Sequence, residues 1–452
     1  MFRLPKDTEI TISLLSEFLD KHRREVTGRY QKLHDAYCSD HEILHLPAKP
    51  KYKPDNRIVV NFPKYIVDTM NGFFIGNPVK IVADEEKVAD FVEYLDQYND
   101  QDDNNAELSK ICSIFGHGFE MYYTDEHSEL CITYLSPLEA FMIHDESIVE
   151  RPMYFVRRYV DREGTEYGSI SDSGYVRNFK VTGGLHWLDE WQPHYFDGVP
   201  AVEFIENAER QGIFEPVLSM VNAYNKAISE KANDVDYFAD AYLKILGTLV
   251  EQDDMQHIRD NRIVNFVGDG AEDLVVEFMD KPSNDAAQEN MLARLEKLIF
   301  QISMIANISD ENFGAASGIA LKYKLLGMHN LEKTKERKFA SGMNRRYRLL
   351  FGHPRSKVPA DAWVQLHYKF VPNIPANLLE EAQIAAQMEG ITSHKTQLSI
   401  ISAVEDVEAE LDRIEEESAP PEETLVDRSM FMVSGFGQDT AAEDEQKEAE
   451  GV

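Results

Sequence analysis

The sequence predicts an α+β fold rich in helix. Apolar residues recur at three- and four-residue spacings over several long stretches, which marks helices with one buried face. Between residues 116 and 206 that period gives way to short runs rich in aromatic and β-branched residues, separated by turn formers. With 452 residues, 43% of them hydrophobic and 28% charged, the chain has globular composition and length for about three domains.

In chain order, residues 9 to about 45 carry an apolar stripe (Leu14, Leu15, Phe18, Leu19) and a basic patch (Arg23, Arg24, Arg29), and are predicted helical. Pro47, Pro50 and Pro54 break that helix into a loop. Arg57 to Val60 reads as strand, residues 63–74 as helix, Gly76-Asn77-Pro78 as a turn, and 84–115 as helix interrupted at 98–105. Within the β-rich part the clearest strands are Phe119–Tyr123, Leu130–Tyr134 and Met153–Val160, with turns at Asp161–Gly164, Asp172–Gly174 and Gly183-Gly184. Residues 215–246 return to helix through Val217, Met220, Val221, Tyr224 and Ile228. Residues 247–285 form an insertion with two strands, Arg262–Val267 and Leu274–Phe278. A second long helix, 286–306, follows, with Met291, Leu295, Leu298, Ile302 and Ile305 at near-heptad spacing, read as ordinary helix packing. The sequence is therefore that of two helical struts carrying a projecting unit. A Gly/Ser/Asn loop (307–318), a long helix from Ile319 to about Phe351, and helices near 377–389 and 396–417 complete the chain, before a tail poor in apolar residues that is expected to be disordered.

The formal net charge is −34. A surface this acidic excludes tight binding of nucleic acid along the whole protein, which displaces phosphate counterions with cations. It does not exclude a protein that DNA merely passes. Charge is unevenly placed: from Ile319 to Lys357 there are eleven bases against two acids, and from Ile401 to Val452 seventeen acids against three bases. A cationic helix in an anionic protein suits an electrostatic contact, either with acidic neighbours or with phosphate. Three cysteines, no signal-peptide core and no apolar stretch long enough to span a bilayer point to a soluble protein made in a reducing cytoplasm.

The sharpest catalytic pattern is His41-Glu42-Ile43-Leu44-His45, which on a helix would set two imidazoles on one face for zinc, with Glu42 placed to activate water. His34, Cys38, His41 and His45 continue that stripe, yet at ~1.5 Å rise per residue its ends lie roughly 16 Å apart, too far to share one ion. Pro47 follows closely and no third-ligand extension exists, so a zinc metallopeptidase is the alternative reading, not the favoured one. There is no phosphate-binding loop, dinucleotide fingerprint, nucleophile elbow or zinc-knuckle spacing. Residue chemistry thus describes a non-enzymatic, multi-domain assembly protein without cofactor or metal.

Four stretches add a family. Asn56-Arg-Ile-Val-Val-Asn-Phe-Pro-Lys-Tyr-Ile-Val-Asp68 runs on to Gly72-Phe-Phe-Ile-Gly-Asn-Pro-Val79. Phe214 to Gly247 contains Ala223-Tyr-Asn-Lys-Ala-Ile-Ser-Glu-Lys-Ala-Asn-Asp234 and Ala239-Asp-Ala-Tyr-Leu243. Asn312-Phe-Gly-Ala-Ala-Ser-Gly-Ile-Ala-Leu-Lys322 continues through Lys335-Glu-Arg-Lys-Phe339 and Gly342. Gly390-Ile-Thr-Ser-His-Lys-Thr396 precedes Glu405-Asp-Val-Glu-Ala-Glu-Leu-Asp-Arg-Ile-Glu415. In this order and spacing they resemble the portal proteins of tailed bacteriophages, of the type found in long-tailed phages of Gram-positive hosts.

The resemblance implies a cyclic homo-oligomer of about twelve subunits at one capsid vertex of the virion. Double-stranded DNA would enter and leave through it without sequence preference. The terminase large subunit, scaffolding and capsid proteins and a head-completion adaptor would be its partners. It implies a wing (1–224 and the long basic helix within 319–376), stem helices (225–246 and 286–306), a clip (247–285), a tunnel loop (307–318), a crown (377–417) and the acidic tail (418–452). Another head-associated adaptor is the remaining alternative. The tunnel loop would supply Asn307, Ser309, Asp310, Glu311, Asn312, Phe313, Gly314, Ala315, Ala316, Ser317 and Gly318 beside the DNA, small and anionic enough to flex without adhering. Glu230, Asp234, Asp240, Glu289 and Glu296 are candidate channel-wall carboxylates. Lys322, Lys324, Lys335, Lys338 and Arg345 are candidate inter-subunit or DNA-contacting cations.

Overall fold

The structure, a computed structural model of the chain, describes residues 2–50, 53–239, 243–246, 275–278, 285–308, 321, 323–374, 378–401, 403–404 and 407–418. It divides into two compact units, Met1–Asn373 and Ile374–Val452. The predicted α+β class is what the fold shows.

The first unit is built around the β-rich middle of the chain. Strands β1 (Phe2–Leu4), β5 (Ala140–Asp145), β6 (Pro152–Val160), β7 (Glu166–Ser171), β8 (Tyr175–Val181) and β10 (Gln192–Pro193) lie in that order in one sheet, with β9 (Leu185–Trp187) also on β8. A second sheet has the order β11 (Ala201–Ile205), β3 (His117–Thr124), β4 (Leu130–Leu135). β5 reads Ala-Phe-Met-Ile, apolar without alternation, because both its faces are covered. Phe141 and Ile143 pack with Tyr154, Val156 and Phe179 against Leu15, Phe18 and Leu19 of helix α1 (Ile12–Glu25). Ala140 and Met142 turn the other way, onto Phe119, Leu135 and Ala201 of the second sheet. The predicted turns close as expected: Asp161 Oδ1 accepts from the amides of Glu163 and Thr165, and Asp172 Oδ1 from those of Gly174 and Tyr175.

The predicted helix over 9–45 is broken. After α1 come a π-helical turn (Val26–Tyr30), α2 (Gln31–Tyr37) and a separate 3₁₀ turn (Glu42–His45). Ser39, at φ +69°, takes the chain out of helix between them. Helix α3 (Phe62–Ile75) starts at Asn61, whose Oδ1 accepts from the Lys64 amide at 2.9 Å. α4 (Glu86–Tyr98) and α5 (Gln101–Phe115) are separated by Asp100 at φ +50°, within the predicted interruption. Sequence periodicity missed a two-stranded sheet of β2 (Lys80–Ala83) and β14 (Leu366–Lys369), whose partners lie far apart in the chain.

The strut helices are α6 (Leu218–Ala239) and α7 (Asp285–Ser303). The predicted helix to Leu246 ends earlier, because Leu243–Leu246 is a strand, β12, antiparallel to β13 (Val275–Phe278). Leu-Lys-Ile-Leu is too short to carry a period of its own, so pairing decides its state. The predicted strand Arg262–Val267 lies outside the described residues. Helix α8 (Leu326–Gly352) packs along β11; Leu321, Tyr323 and Lys324 before it are also helical, with a turn at Leu325, and the predicted start at Ile319 lies outside the described residues. The second unit holds α9 (Leu378–Gln387), α10 (His394–Leu398) and α11 (Val407–Ser418), so the predicted helix over 396–417 is two helices. No helix among the described residues is long and apolar enough to cross a membrane.

Candidate channel and contact residues

Helix α6 is held from outside by an extended segment. The amides of Asn56, Ile58 and Val60 donate to Asn233 Oδ1 (2.7 Å), Ser229 Oγ (2.9 Å) and Asn225 Oδ1 (2.9 Å). The geometry explains the spacing. Two extended residues advance about 6.6 Å and four helical ones about 6.0 Å, so alternate amides of a strand meet every fourth residue of an antiparallel helix. Asn225, Ser229 and Asn233 are buried, and the segment predicted as the strand Arg57–Val60 is extended but joins no sheet: its ladder is made of side chains. Replacing Ser229 with alanine removes the middle rung. The expected cost is about 1 kcal/mol, with hydrogen exchange at the Ile58 amide about tenfold faster or more. Unchanged exchange there would mean the segment is held elsewhere.

Four of the five candidate wall carboxylates are described, and each already has a partner within the chain. Glu230 accepts from Lys49 Nζ at 2.8 and 2.9 Å, and this lysine holds its carboxyl below the usual range. Glu289 pairs with Lys231 across the α6–α7 contact, where Gln288 Nε2 also donates to Asp234 Oδ2 at 3.1 Å. Glu296 accepts from Asn307 Nδ2 at 3.2 Å, tying the end of α7 to the start of the loop. Asp240 lies outside the described residues, as do the loop positions Ser309 to Gly318.

Of the five candidate cations, Lys335 is a correction. It is 2% exposed, and its Nζ donates to Glu206 Oε2 (2.6 Å), Ser113 Oγ (2.6 Å) and the Ser109 carbonyl (3.0 Å). A charge enclosed this way has no donor left for a neighbour or for DNA. Arg346, one of the eleven bases of that stretch, is likewise inside: it forks onto both Glu120 oxygens at 2.8 and 2.6 Å and reaches Asn105 Oδ1 at 2.7 Å. Burial opposes its charge, but Glu120, together with the hydroxyls of Tyr347 and Tyr122, more than offsets burial and keeps the guanidinium protonated. Lys324 and Arg345 are exposed, Lys338 is half-buried, and Lys322 lies outside the described residues. Arg345 donates to the Ser341 carbonyl and Oγ, both at 3.2 Å, and with Arg337 and Arg348 forms an outward cationic stripe on α8.

The histidine motif does not assemble. His41 precedes the 3₁₀ turn in extended conformation and is 2% exposed, with its Nδ1 accepting from Asn225 Nδ2 at 2.9 Å. Burial lowers its pKa, favouring the neutral ring. His45 points elsewhere, onto Asp40 at 2.6 Å. Among the described residues no group of three His, Cys, Asp or Glu is arranged to hold a metal.

The near-heptad stripe of α7 differs from its reading as ordinary packing. Leu292 and Ile299 form the buried side, whereas Met291 and Ile302 are 52% and 46% exposed and Leu295 and Leu298 are half-buried. Among the described residues, Met291, Leu295, Leu298 and Ile302 thus leave part of their apolar surface open along one face of α7, while Ile305, the last of the stripe, is buried.

The sequence matches the family described as Phage portal protein, SPP1 Gp6-like, over residues 16–422. It is 23% identical over 399 residues to the portal protein of Bacillus phage SPP1, covering 81% of this chain and 76% of that one. It is also 23% identical over 396 residues to the portal protein of Clostridium phage phiCD119, covering 79% and 84%.

Proposed function

The chain belongs to the SPP1 Gp6-like family of phage portal proteins, and from that premise we propose that about twelve copies close head to tail around an axial passage for double-stranded DNA. A portal protein is a structural, capsid-associated homo-oligomer that serves DNA packaging, and it catalyses no reaction. In this reading α6 and α7 are the stem, residues 247–285 with β13 are the clip, paired through β12 to the end of the first stem segment, residues 307–318 are the tunnel loop, α8 is the long wing helix and the second unit is the crown. The terminase large subunit docks at the vertex during packaging, scaffolding and capsid proteins surround it during assembly, and a head-completion adaptor follows.

The observation that carries the ring is the aliphatic face of α7. A cyclic assembly repeats one contact between two different surfaces, so each copy must present apolar area that its own fold leaves open. The acidic composition supports the conduit: a passage without excess cations offers no counterion-release affinity, so a polyanion slides instead of adhering. Glu230 and Glu289 are each offset by a lysine of the same chain, Lys49 and Lys231, and so add little net charge to such a wall.

End-on electron micrographs of the purified chain are expected to show closed rings of uniform symmetry, and material that stays monomeric under all conditions would end this reading. Shortening the loop Asn307–Gly318 by four residues is expected to leave ring assembly intact while reducing DNA packaged per head severalfold. Normal packaging by that variant would remove the loop's assigned role.

A further inference from the structure

On the side where the two sheets meet, the cross-strand row Met142, Phe155, Ser171, Val176 runs over β5, β6, β7 and β8. Met142 and Phe155 belong to the core shared with the second sheet, whereas Ser171 and Val176 line a cavity of about 470 Å³. Ser169 and Asn178, paired across β7 and β8, line it too. The first sheet thus outruns the second, and hydroxyls replace apolar side chains where the cover ends. The conduit reading makes no use of this cavity.

The far wall is aromatic. It takes Tyr123 from β3, and His194, Tyr195 and Phe196 from the loop before β11. Tyr195 is 66% exposed and sits at φ +64°, a left-handed conformation that bulky side chains rarely take. Its neighbours hold it there: His194 Nε2 donates to the Asp172 carbonyl at 3.0 Å, the Phe196 amide donates to His194 Nδ1 at 3.1 Å, and Phe196 is buried. The charge of the cavity is cationic. None of its lining residues is an acid, in a chain where 80 of 452 are, and Arg355 lines it with no carboxylate partner among the described residues. Beside Arg355, His353 accepts from the Arg355 amide through Nδ1 at 3.1 Å, and burial favours its neutral ring, so Nε2 carries the proton. That buried donor finds no acceptor in hydrogen-bonding geometry.

We propose that this cavity binds a nucleoside monophosphate, free or at the end of a DNA strand, with its base against the Tyr123 and Tyr195 rings and its phosphate at Arg355. Each part of that ligand answers one class of wall residue. Ser169, Ser171 and the Oδ1 of Asn178, whose Nδ2 is already held by Asp189 at 2.6 Å, face the sugar. A purely apolar guest would strand the hydroxyls, a cation would meet Arg355, and phosphate alone would leave the rings unused. The volume lies in the range of small-molecule sites and is too narrow for a duplex, so passing DNA does not compete.

The test uses the full-length assembled protein and isothermal titration calorimetry. Adenosine monophosphate is expected to bind saturably at one per subunit, with adenosine and inorganic phosphate each about tenfold weaker or more. Arg355→Gln should weaken the monophosphate about tenfold and leave adenosine unchanged, because only the phosphate meets the guanidinium. Tyr195→Ala should weaken both, through lost stacking. Both altered residues are exposed, and tryptophan fluorescence checks that the fold is kept. Arg348→Gln, which removes an outward cation of α8 away from the cavity, is the control and should change nothing. Competition by a single-stranded hexamer of deoxyadenylate with a 5′-phosphate would assign the strand end as the source, and its failure to compete the free nucleotide. No saturable binding of the monophosphate, unchanged affinity in Arg355→Gln, or equal loss in Arg348→Gln would each overturn the proposal.

Discussion

Replacing Arg346 with methionine is expected to destabilise the first unit by about 3–5 kcal/mol, the cost of leaving one member of a buried ion pair alone. Arg346 is 0% exposed and its partner Glu120 is 1% exposed. Without the guanidinium, Glu120 keeps the Tyr122 hydroxyl at 2.8 Å and the Gln101 amide at 3.2 Å, neither of which carries charge. The companion substitution separates pair from packing. Arg346→Met with Glu120→Leu should recover most of the loss, because two apolar side chains of similar volume remove the stranded charge. The measurement is the shift in urea midpoint followed by fluorescence of Trp187, Trp191 and Trp363. An unchanged midpoint in the single variant would show that Glu120 is not dependent on Arg346.

The effect is expected to be large because of where Arg346 sits. Eleven residues separate it from Lys335, three helical turns, so both cations leave the same face of α8. Between them a Cβ at Gly342 would overlap the Phe204 ring, so glycine is what lets the helix lie against β11. Two charged pins and one close approach thus fix α8 to the sheets.

These pins also show what could and could not be read in the sequence. The α+β class, the β-rich segment 116–206 and the strut helices follow from period alone, because burying one face of an element is a local pattern. Lys335 and Arg346 lie in a run of eleven bases that reads as a solvated or contact face, and their partners are 129 and 226 residues away. The available signal was on the other side of the pair. Glu120 and Glu203 stand as single carboxylates within apolar strand runs, and Glu206 directly follows one; such acids require a donor from elsewhere. The Asn225–Ser229–Asn233 ladder was likewise visible as polar residues at four-residue spacing opposite an extended segment. The histidine motif misled for the converse reason: its spacing has meaning only on a continuous helix, and Ser39 and the extended His41 end that helix first.

Placing carboxylates on the open face of α7, as Leu295→Glu/Ile302→Glu, is expected to abolish rings while leaving the chain folded. Ile302 is 46% exposed and Leu295 half-buried within one chain, so neither carries much of the fold. In a ring both would be covered. Burying an aliphatic side chain contributes about 1.5–3 kcal/mol, and a desolvated, unpaired carboxylate costs more than that, so two substitutions shift each contact by several kcal/mol and weaken association more than 1000-fold. Cyclic closure multiplies the effect, because every copy makes the contact on both sides. Ile148, fully exposed at the turn between β5 and β6, is the control: Ile148→Glu introduces the same charge away from α7 and should leave rings intact. Sedimentation velocity reads the assembly and tryptophan fluorescence the fold. Normal rings from the double variant would mean that the aliphatic face of α7 stays exposed in the assembly, and the packing of neighbouring copies would have to be sought on another surface.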